Sequence, residues 1–324
     1  MKVLIIGSSG SLARMLISYL IERNIEVTGI DIRKNTEFLP ENKFRFYKCS
    51  ITEKDHLKSI FDEAQPTNVL HLACSFNKVR NRQREYDIDI NGSDNVLDIC
   101  NSTPSVKQLI FSSSAAAYGG KKENPLWMKE SEPLVPKNYR YGMNKKLVED
   151  RYTNVPVRED LRIIVLRLCL VLGPTFDKPR SAVSILIKLP FLPKFTRETK
   201  LQFIHSEDLT TLTGLILEDR DINGIYNLAP DSYVIVKDIA PDKKYIGVPK
   251  FMTKVLLWIC WHLRLMNIQP TSAVNSFYPT ILDSSKIISR YNYKFKYSSK
   301  EAFEDTVAHN MIPADAWSIT RRWH

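Results

Sequence analysis

Tyr141 and Lys145 are four positions apart in a segment with helical spacing, so their side chains share one helix face. An ammonium group beside a phenol favours the phenolate and lowers the tyrosine pKa from about 10. Such a tyrosine can exchange a proton with an alcohol while a nicotinamide exchanges the hydride. Ser114 ends an apolar run and could hydrogen-bond the same oxygen. These residues predict chemistry at a secondary alcohol or ketone.

A short apolar run enters the segment Gly7-Ser8-Ser9-Gly10-Ser11-Leu12-Ala13, and helical spacing follows it. The first glycine allows a tight turn, the second lets a pyrophosphate approach the backbone, and the small third residue allows close helix–strand packing. The N-terminus of the helix offers N–H donors and a positive dipole end to phosphates. The segment predicts a dinucleotide-binding turn.

Asp31 ends the next apolar run, 18 residues after Ala13. An acid at this place accepts hydrogen bonds from the adenosine ribose hydroxyls, which favours NAD over NADP. Arg33 and Lys34 lie close by and leave room for a 2′-phosphate. NAD is therefore the expected cofactor, with NADP as the alternative.

Apolar runs alternate with helical segments over the first half of the chain. The predicted strands are Lys2–Ile6, Ile25–Ile30, Phe44–Cys49, Asn68–Ala73, Val106–Ser112 and Leu161–Leu168. The predicted helices are Leu12–Glu22, Glu53–Glu63, Tyr86–Cys100 and Tyr141–Tyr152. Continuous apolar strands between helices are typical of a parallel sheet covered on both faces. The prediction is an α/β fold, a Rossmann-type doubly wound parallel sheet.

The regular alternation fades after about Gly173. We expect residues 1–173 to form the nucleotide-binding domain. Residues 174–324 should form a smaller, mixed substrate-binding region, with some elements returning to the main sheet. Its predicted elements are helices at Ser181–Leu189, Ser206–Leu217, Phe251–Met266, Asp283–Arg290 and Ser299–Asn310 and strands at Leu201–Ile204 and Gly224–Leu228.

The chain carries 46 Lys and Arg against 36 Asp and Glu, a formal charge of +10. The basic residues are scattered and do not alternate with aromatic ones, so no nucleic-acid partner is expected. The five cysteines form no CxxC pair and no histidine has metal-ligand spacing, so we expect reduced thiols and no metal site. No apolar stretch is long enough to span a bilayer. We therefore expect a cytoplasmic protein.

Several motifs together resemble the extended short-chain dehydrogenases/reductases, the NAD-dependent epimerase/dehydratase family that includes UDP-galactose 4-epimerase. The resemblance covers roughly residues 1–310. It rests on the Gly7 turn, Asp31, His71-Leu72-Ala73, Asn91-Gly92-Ser93, residues 112–119 (SSSAAAYG), Tyr141 with Lys145, Leu166-Arg167, Gly173-Pro174 and Phe203–Asp208 (FIHSED).

The resemblance implies that Ser114, Tyr141 and Lys145 are catalytic. It implies cofactor contacts from Gly7, Ser9, Gly10, Ser11, Leu12, Asp31, Arg33, Ser50, Ile51, Leu72, Ala73, Cys74, Asp89, Ser112, Tyr141 and Lys145. It also implies a small-molecule substrate and a homodimer formed through the helices at Tyr86–Cys100 and Tyr141–Tyr152.

The chain departs from the family pattern at five places. Ser50 replaces an acid that contacts adenine, Asp89 replaces an asparagine, and Asn144 replaces the serine before the lysine. Leu170 replaces an asparagine that often contacts a nucleotide-sugar, which weakens the case for such a substrate. Ala115-Ala116 replaces the acid pair of the dehydratases. Sugar 4,6-dehydration needs a separate acid and base and is therefore not expected.

Two chemistries stay open within the leading interpretation. An epimerase would oxidise a sugar carbon and return the hydride, whereas a dehydrogenase or reductase would release the altered product. The alternative class is a nucleotide-sensing or RNA-binding relative that has lost catalysis. The role of the apolar helix at Phe251–Met266 is also open, because it could cap an apolar substrate site, lie on a membrane surface or pack in the substrate region.

Overall fold

A seven-stranded parallel sheet forms the centre of the protein in this computed structural model. The structure describes residues 1–34, 43–75, 79, 81–137, 139–174, 189–263, 270–272 and 277–310. The sheet contains β1 (Lys2–Ile6), β2 (Glu26–Asp31), β3 (Phe44–Lys48), β4 (Asn68–His71), β5 (Gln108–Ser114), β6 (Arg162–Leu168) and β11 (Gly224–Leu228).

The strand order is β11-β6-β5-β4-β1-β2-β3, so β2 and β3 are added on one side of β1 and the later strands on the other side, from β4 onward. A crevice opens at the carboxyl ends of the strands at such a switch point, and ligands of open α/β sheets bind there. The Rossmann-type α/β fold is confirmed. Strand β11 lies in the C-terminal half of the chain and pairs in parallel with β6, so this half contributes an edge strand to the central sheet.

Helices cover both faces of the sheet. They are α1 (Ser11–Glu22), α2 (Lys54–Ala64), α3 (Arg82–Tyr86), α4 (Gly92–Ser102), α5 (Arg140–Asn154), α6 (Ser206–Glu218), α7 (Val236–Ile239), α8 (Lys250–His262), α9 (Ser285–Tyr291) and α10 (Ser299–Asn310). One core cluster packs α1 and α6 against the sheet, and another packs α2, α4 and α5 against its opposite face. Burial of these two apolar layers is the main force that holds the domain together.

The predicted helix at Tyr86–Cys100 begins four residues earlier and contains a π-helical turn over Asp87–Asn91 between α3 and α4. Such turns insert one extra residue and are frequent at functional sites. Asp89 lies in this turn and is buried at the candidate site described below.

Three small two-stranded sheets lie outside the central one. They pair β7 (Leu170–Leu172) with β10 (Phe203–His205), β9 (Lys200–Leu201) with β12 (Val234–Ile235), and β8 (Phe191–Pro193) with β13 (Lys244–Ile246). Strands β7, β8, β12 and β13 escaped prediction because two or three residues show no periodicity. The helix predicted at Ser181–Leu189 falls almost wholly outside the described residues. Within the described part of the chain, no helix combines the length and apolarity needed to cross a membrane.

Candidate active site

The turn after β1 brings three strand ends together. Gly7 has φ +86°, and a Cβ there would lie 2.7 Å from the backbone nitrogen of Ala73. The amides of Gly7 and Ser8 both donate to the Ile30 carbonyl, at 2.8 and 3.1 Å. Glycine is therefore required at position 7, because the turn must pass between the ends of β2 and β4.

Helix α1 begins at this turn with Gly10 as its N-cap, and no side chain caps it. The first N–H groups of a helix have no intrahelical acceptor. Because α1 starts just after the carboxyl end of β1, beside the switch point, the N–H groups of Ser11 and Leu12 lie at the crevice. Ala13 packs inward with 1% exposure. An uncapped helix start at this place suits an anionic group such as a pyrophosphate.

Asp31 organises the same turn. Its carboxylate accepts hydrogen bonds from the Ser9 amide at 3.0 Å and the Arg33 amide at 3.2 Å. The Ser9 hydroxyl donates in turn to the Arg33 carbonyl. Asp31 thus ties the end of β2 to the turn after β1 and keeps acceptor capacity at the crevice edge, where a ribose would lie.

The remaining predicted cofactor residues line the same edge of the sheet or support it. Ile51 is buried against the start of α4, where a Cβ on Gly92 would come within 2.6 Å of its side chain. Ser50 bonds to Thr52. The Leu72 amide donates to the Ile6 carbonyl at 2.9 Å, which continues the pairing of β4 with β1.

Ser114 and Tyr141 are brought together by the loop after β5 and the first turn of α5. The Ser114 hydroxyl accepts a hydrogen bond from the Ala116 amide at 3.2 Å and lies close enough to Tyr141 to lower its pKa. A Cβ on Gly142 would lie 2.3 Å from the Ala116 carbonyl oxygen. The absence of a side chain at Gly142 therefore lets α5 approach the serine loop closely.

Lys145 lies one helical turn after Tyr141 and is 4% exposed. Its ammonium group donates to the Ser112 carbonyl at 2.6 Å and lies 5.7 Å from the centre of the Tyr141 ring. It also lies 4.6 Å from the centre of the Phe111 ring. The structure therefore places all three predicted catalytic side chains at the carboxyl end of β5.

The pKa of Tyr141 differs from the sequence-based expectation. Burial raises it well above the usual value of 10, and the hydrogen bond with Ser114 opposes burial only in part. Burial of a phenol disfavours its charged form. In the structure Tyr141 is therefore a neutral phenol at neutral pH, and the expectation that Lys145 lowers its pKa is not met in this arrangement.

Two of the departures from the family pattern contact each other. The Asn144 amide donates to the Asp89 carboxylate at 2.9 Å. The amide and hydroxyl of Ser75 donate to the same carboxylate at 2.7 and 2.9 Å. Asp89 cannot donate when ionised, and here it accepts three bonds instead. The exchange of residue types at positions 89 and 144 thus keeps the π-helical turn joined to α5.

A small cavity of about 10 Å³ lies beside Tyr141 and Lys145, with room for roughly one water molecule. Its lining includes Cys74, Asp89, Tyr141, Asn144 and Lys145. Cys74 and Asp89 both contribute to the raised pKa of Tyr141. Because Cys74 and Asp89 line the same cavity as Tyr141, they are near neighbours of its phenol. Their positions in the sequence do not indicate this proximity.

A buried polar network lies beneath the site. Arg167 donates from Nε and Nη2 to the Glu149 carboxylate at 2.9 and 2.7 Å, and both residues are at most 3% exposed. The Ser113 hydroxyl donates to the same carboxylate, and Arg167 also donates to the Tyr118 hydroxyl at 2.8 Å. Sequence reasoning missed Glu149, although it lies four residues after Lys145 on the inward face of α5.

His71 is a structural residue of this region. Its Nδ1 lies 2.8 Å from the Tyr152 hydroxyl, which itself donates to the Ser93 carbonyl at 3.0 Å. The ring must therefore donate through Nδ1–H. Burial, and secondarily the charge of Lys145, lower the pKa of His71 from 6.5 to about 3. His71 is neutral in the folded protein at pH 7.

Because of His71, the free energy of unfolding should decrease as the pH is lowered. Since the pKa is about 6.5 unfolded and about 3 folded, the stabilisation is complete above pH 6.5 and is lost progressively below it. The slope is up to about 1.4 kcal/mol per pH unit. Denaturant titrations at pH 7, 5.5 and 4.5 should show this extra slope in the parent chain and not in His71→Asn. His56→Asn is the control, since its side chain is 52% exposed. Identical slopes in parent and His71→Asn would refute the assignment.

One group of potential metal ligands was missed in the sequence. The ligand atoms of Cys49, Glu53 and His56 all lie within 4.8 Å of one another. However, burial raises the pKa of the Cys49 thiol to about 11, and this thiol donates to the Ser50 carbonyl. A thiol binds a metal as the thiolate, so a metal at this group would have to displace the Cys49 proton.

The residues present fit a dinucleotide. The uncapped start of α1, the tight Gly7 turn and the Asp31 carboxylate lie at the switch-point crevice. Together they offer amide donors for phosphates and a carboxylate acceptor for ribose hydroxyls. Lys145 and Tyr141 lie at the neighbouring end of β5, toward the reacting end of such a ligand.

Comparison with known proteins agrees with this arrangement. The UDP-glucose 4-epimerase of Mycoplasma genitalium is 24% identical over 249 residues, which is 73% of this chain and 71% of the relative. Further curated relatives are covered less completely, with 43% and 54% of their length aligned in two UDP-glucose 4-epimerases. The chain therefore spans about half the length of these two relatives.

Solved structures share the fold over nearly the whole chain. UDP-glucose 4-epimerase from Thermotoga maritima, solved with UDP-glucose, has a TM-score of 0.76 at 23% identity, covering 95% of this chain and 98% of that one. The Bordetella bronchiseptica enzyme WbmG, solved with NAD, has a TM-score of 0.75 at 21% identity, covering 99% and 96%. The model of the NAD-dependent epimerase/dehydratase family matches residues 3–229. On this match, together with the turn after β1 and the fold, the chain belongs to the NAD-dependent epimerase/dehydratase family.

Proposed function

We propose that this chain epimerises a nucleotide-linked sugar by reversible oxidation of a secondary alcohol carbon, with NAD as its cofactor. The observation that carries the proposal is the convergence of Ser114, Tyr141 and Lys145 at the strand end next to the dinucleotide turn. These are the donor and acceptor groups that an alcohol or ketone oxygen requires. The UDP-glucose 4-epimerases of Mycoplasma genitalium and Thermotoga maritima support the choice of a sugar substrate.

The cofactor would be held along the edge of the sheet. In this proposal the amides at Ser11 and Leu12 bind the pyrophosphate beside Gly10, whose own amide donates to the Gly7 carbonyl, and Asp31 binds the adenosine ribose. Ser9, Arg33, Ser50 and Ile51 surround the adenosine half. Leu72, Ala73, Cys74, Asp89, Ser112, Tyr141 and Lys145 surround the nicotinamide half. When bound, NAD supplies a hydride acceptor that returns the hydride later.

Tyr141 has the central role in proton transfer. Its phenolate form takes the proton of the substrate alcohol on oxidation, and the resulting phenol returns it on reduction, while Ser114 hydrogen-bonds the same substrate oxygen. Burial disfavours the phenolate, and the positive charge of Lys145 acts in the opposite direction. The bond from Lys145 to the Ser112 carbonyl keeps that charge in the turn after Tyr141.

Elimination of water is not part of the proposal. Ala115 and Ala116 form a short 3-10 turn after Ser114 and offer no carboxyl group. A dehydration needs an acid and a base in addition to the hydride transfer. The remaining substrate contacts would come mainly from residues 174–324, and a homodimer through α4 and α5 is part of the same proposal.

A second candidate is a net dehydrogenase or reductase for a less polar alcohol. Leu170 stands where the family often has an asparagine that contacts a nucleotide-sugar, and its side chain is 47% exposed. An exposed leucine cannot replace the hydrogen bonds of an amide. This residue therefore favours an apolar substrate group at β7.

The experiment that tests the proposal begins with the nucleotide carried by the purified protein. The protein is denatured, the released nucleotide is identified by mass spectrometry, and apo protein is titrated with NAD and NADP. UDP-glucose and UDP-galactose are then incubated with the holoprotein while NMR follows their interconversion and absorbance follows NADH. We expect NAD, interconversion and no net NADH. Net NADH from an alcohol would support the second candidate, and failure to bind either nucleotide would refute both.

A further inference from the structure

Helix α8, Lys250–His262, exposes apolar side chains to an unusual degree. The less exposed positions are Thr253, Leu257, Cys260 and Trp261, which form one stripe at helical spacing and face the protein. The opposite face is apolar: Phe251 is 67% exposed, Leu256 60%, Trp258 54% and Leu263, just after the helix, 64%. None of the thirteen helix residues is buried. Large exposed apolar patches on soluble proteins mark interaction sites.

Further exposed apolar side chains lie on two strands that precede α8 in the sequence. Ile246 in β13 is 44% exposed, and Phe191 in its partner strand β8 is 48% exposed. The pairing of β13 with β8 places Lys244 opposite Phe191. The pattern of apolar and basic side chains therefore begins before α8.

The segment of the sequence that contains α8 is basic. Residues 243–282 contain five Lys and Arg and no Asp or Glu, so 40 residues carry +5 of the net +10 of the whole chain. Lys250 and Lys254 lie 5.0 and 5.7 Å from the centre of the Phe277 ring. An apolar surface that also carries cations is complementary to an anionic lipid surface, which offers acyl chains beneath negative headgroups.

Helix α8 is too short to cross a bilayer. Thirteen residues span about 20 Å, whereas a helix that crosses a bilayer needs about 20 residues. The side chains at its outward face include the aromatic and long aliphatic types that enter the boundary between headgroups and acyl chains. A helix lying in the membrane plane would bury this face and leave the stripe at Thr253 and Leu257 against the protein.

We propose that α8 docks this protein onto the surface of an anionic lipid bilayer. Phe251, Leu256 and Trp258 enter the headgroup boundary, and Lys250 and Lys254 contact anionic headgroups. The surface is separate from the residues placed in the candidate active site, so this proposal does not depend on the substrate.

The test is co-sedimentation of the full-length protein with vesicles. Vesicles of phosphatidylcholine with 30% phosphatidylglycerol are compared with vesicles of phosphatidylcholine alone, at low and high salt. We expect binding to the anionic vesicles that weakens with salt. Lys250→Gln with Lys254→Gln should weaken it about 25-fold, because each lysine near an anionic surface contributes about fivefold. Phe251→Ser with Leu256→Ser should weaken it by at least about tenfold, through the lost apolar burial.

The matched control is Leu126→Ser with Val155→Ser, whose side chains are 46% and 45% exposed and lie elsewhere. This variant should bind vesicles as the parent does. Thermal unfolding of each variant checks folding, and exposed substitutions should change it little. Equal binding to neutral and anionic vesicles, or none to either, would overturn the proposal. A dimer that Phe251→Ser with Leu256→Ser converts to monomer would also overturn it, because a second copy would then cover this face.

Discussion

Tyr141→Phe is expected to lower kcat by about 10³-fold or more while leaving NAD affinity nearly unchanged. General acid–base catalysis by a positioned side chain contributes 10²–10⁴-fold, and loss of the hydroxyl removes it entirely. The ring is retained, so the packing of the first turn of α5 persists. Only the phenol oxygen is lost. Steady-state turnover on the substrate identified by the assay above, with NAD binding by fluorescence or calorimetry, measures both quantities.

The control for this prediction is Tyr139→Phe. Tyr139 is a buried tyrosine whose ring centre lies 5.9 Å from that of Tyr141, so it tests removal of a phenol in the same region. It should keep most of the activity, because the proposal gives its hydroxyl no role in proton transfer. Near-parental turnover in Tyr141→Phe would show that another group moves the proton and would remove Tyr141 from the mechanism.

Glu149→Gln should destabilise the protein by about 3–5 kcal/mol. The substitution leaves the Arg167 guanidinium buried without its counter-charge, and removal of one partner from a buried ion pair has a cost of this size. The pair connects α5 to β6, and the Ser113 hydroxyl connects it to β5. Chemical denaturation at pH 7 measures the loss as a shift in the unfolding midpoint.

Two further variants separate charge burial from packing. Glu149→Leu with Arg167→Met removes both charges and should lose less stability than Glu149→Gln alone. Asp98→Asn breaks an exposed ion pair with Lys54, in which the lysine side chain is 50% exposed and the aspartate 58%. It should lower the free energy of unfolding by about 0–1 kcal/mol. If Glu149→Gln and Asp98→Asn cost the same, the buried pair does not stabilise the fold in the way inferred here.

Residue types and short spacings predicted the fold correctly. The alternation of apolar runs with helical segments led to the parallel sheet, and the glycine spacing after β1 led to the turn at Gly7. These features are readable because each depends on neighbours within one element or one turn. The glycine at position 7 is required by a contact with Ala73, yet its type alone indicated a tight turn.

Other features depend on contacts between distant segments. The bond between Asp89 and Asn144 joins residues 55 positions apart, so the two departures looked unrelated in the sequence. Glu149 and Arg167 read as an ordinary helix acid and a motif arginine, and only the packing of α5 on β6 reveals a buried pair. The short strands outside the central sheet are set by their partners and have no periodic pattern of their own.

By itself, the sequence determined the fold class, the dinucleotide turn and the spacing that puts Tyr141 and Lys145 on one helix face. The tertiary structure decided the electrostatics of that face: it buried Tyr141, so that desolvation raises its pKa, and directed Lys145 to the Ser112 carbonyl. It also decided that the apolar helix α8 lies with one face uncovered. The physical reason is that periodicity and turn chemistry are local, whereas burial depends on what the rest of the chain packs against each side chain.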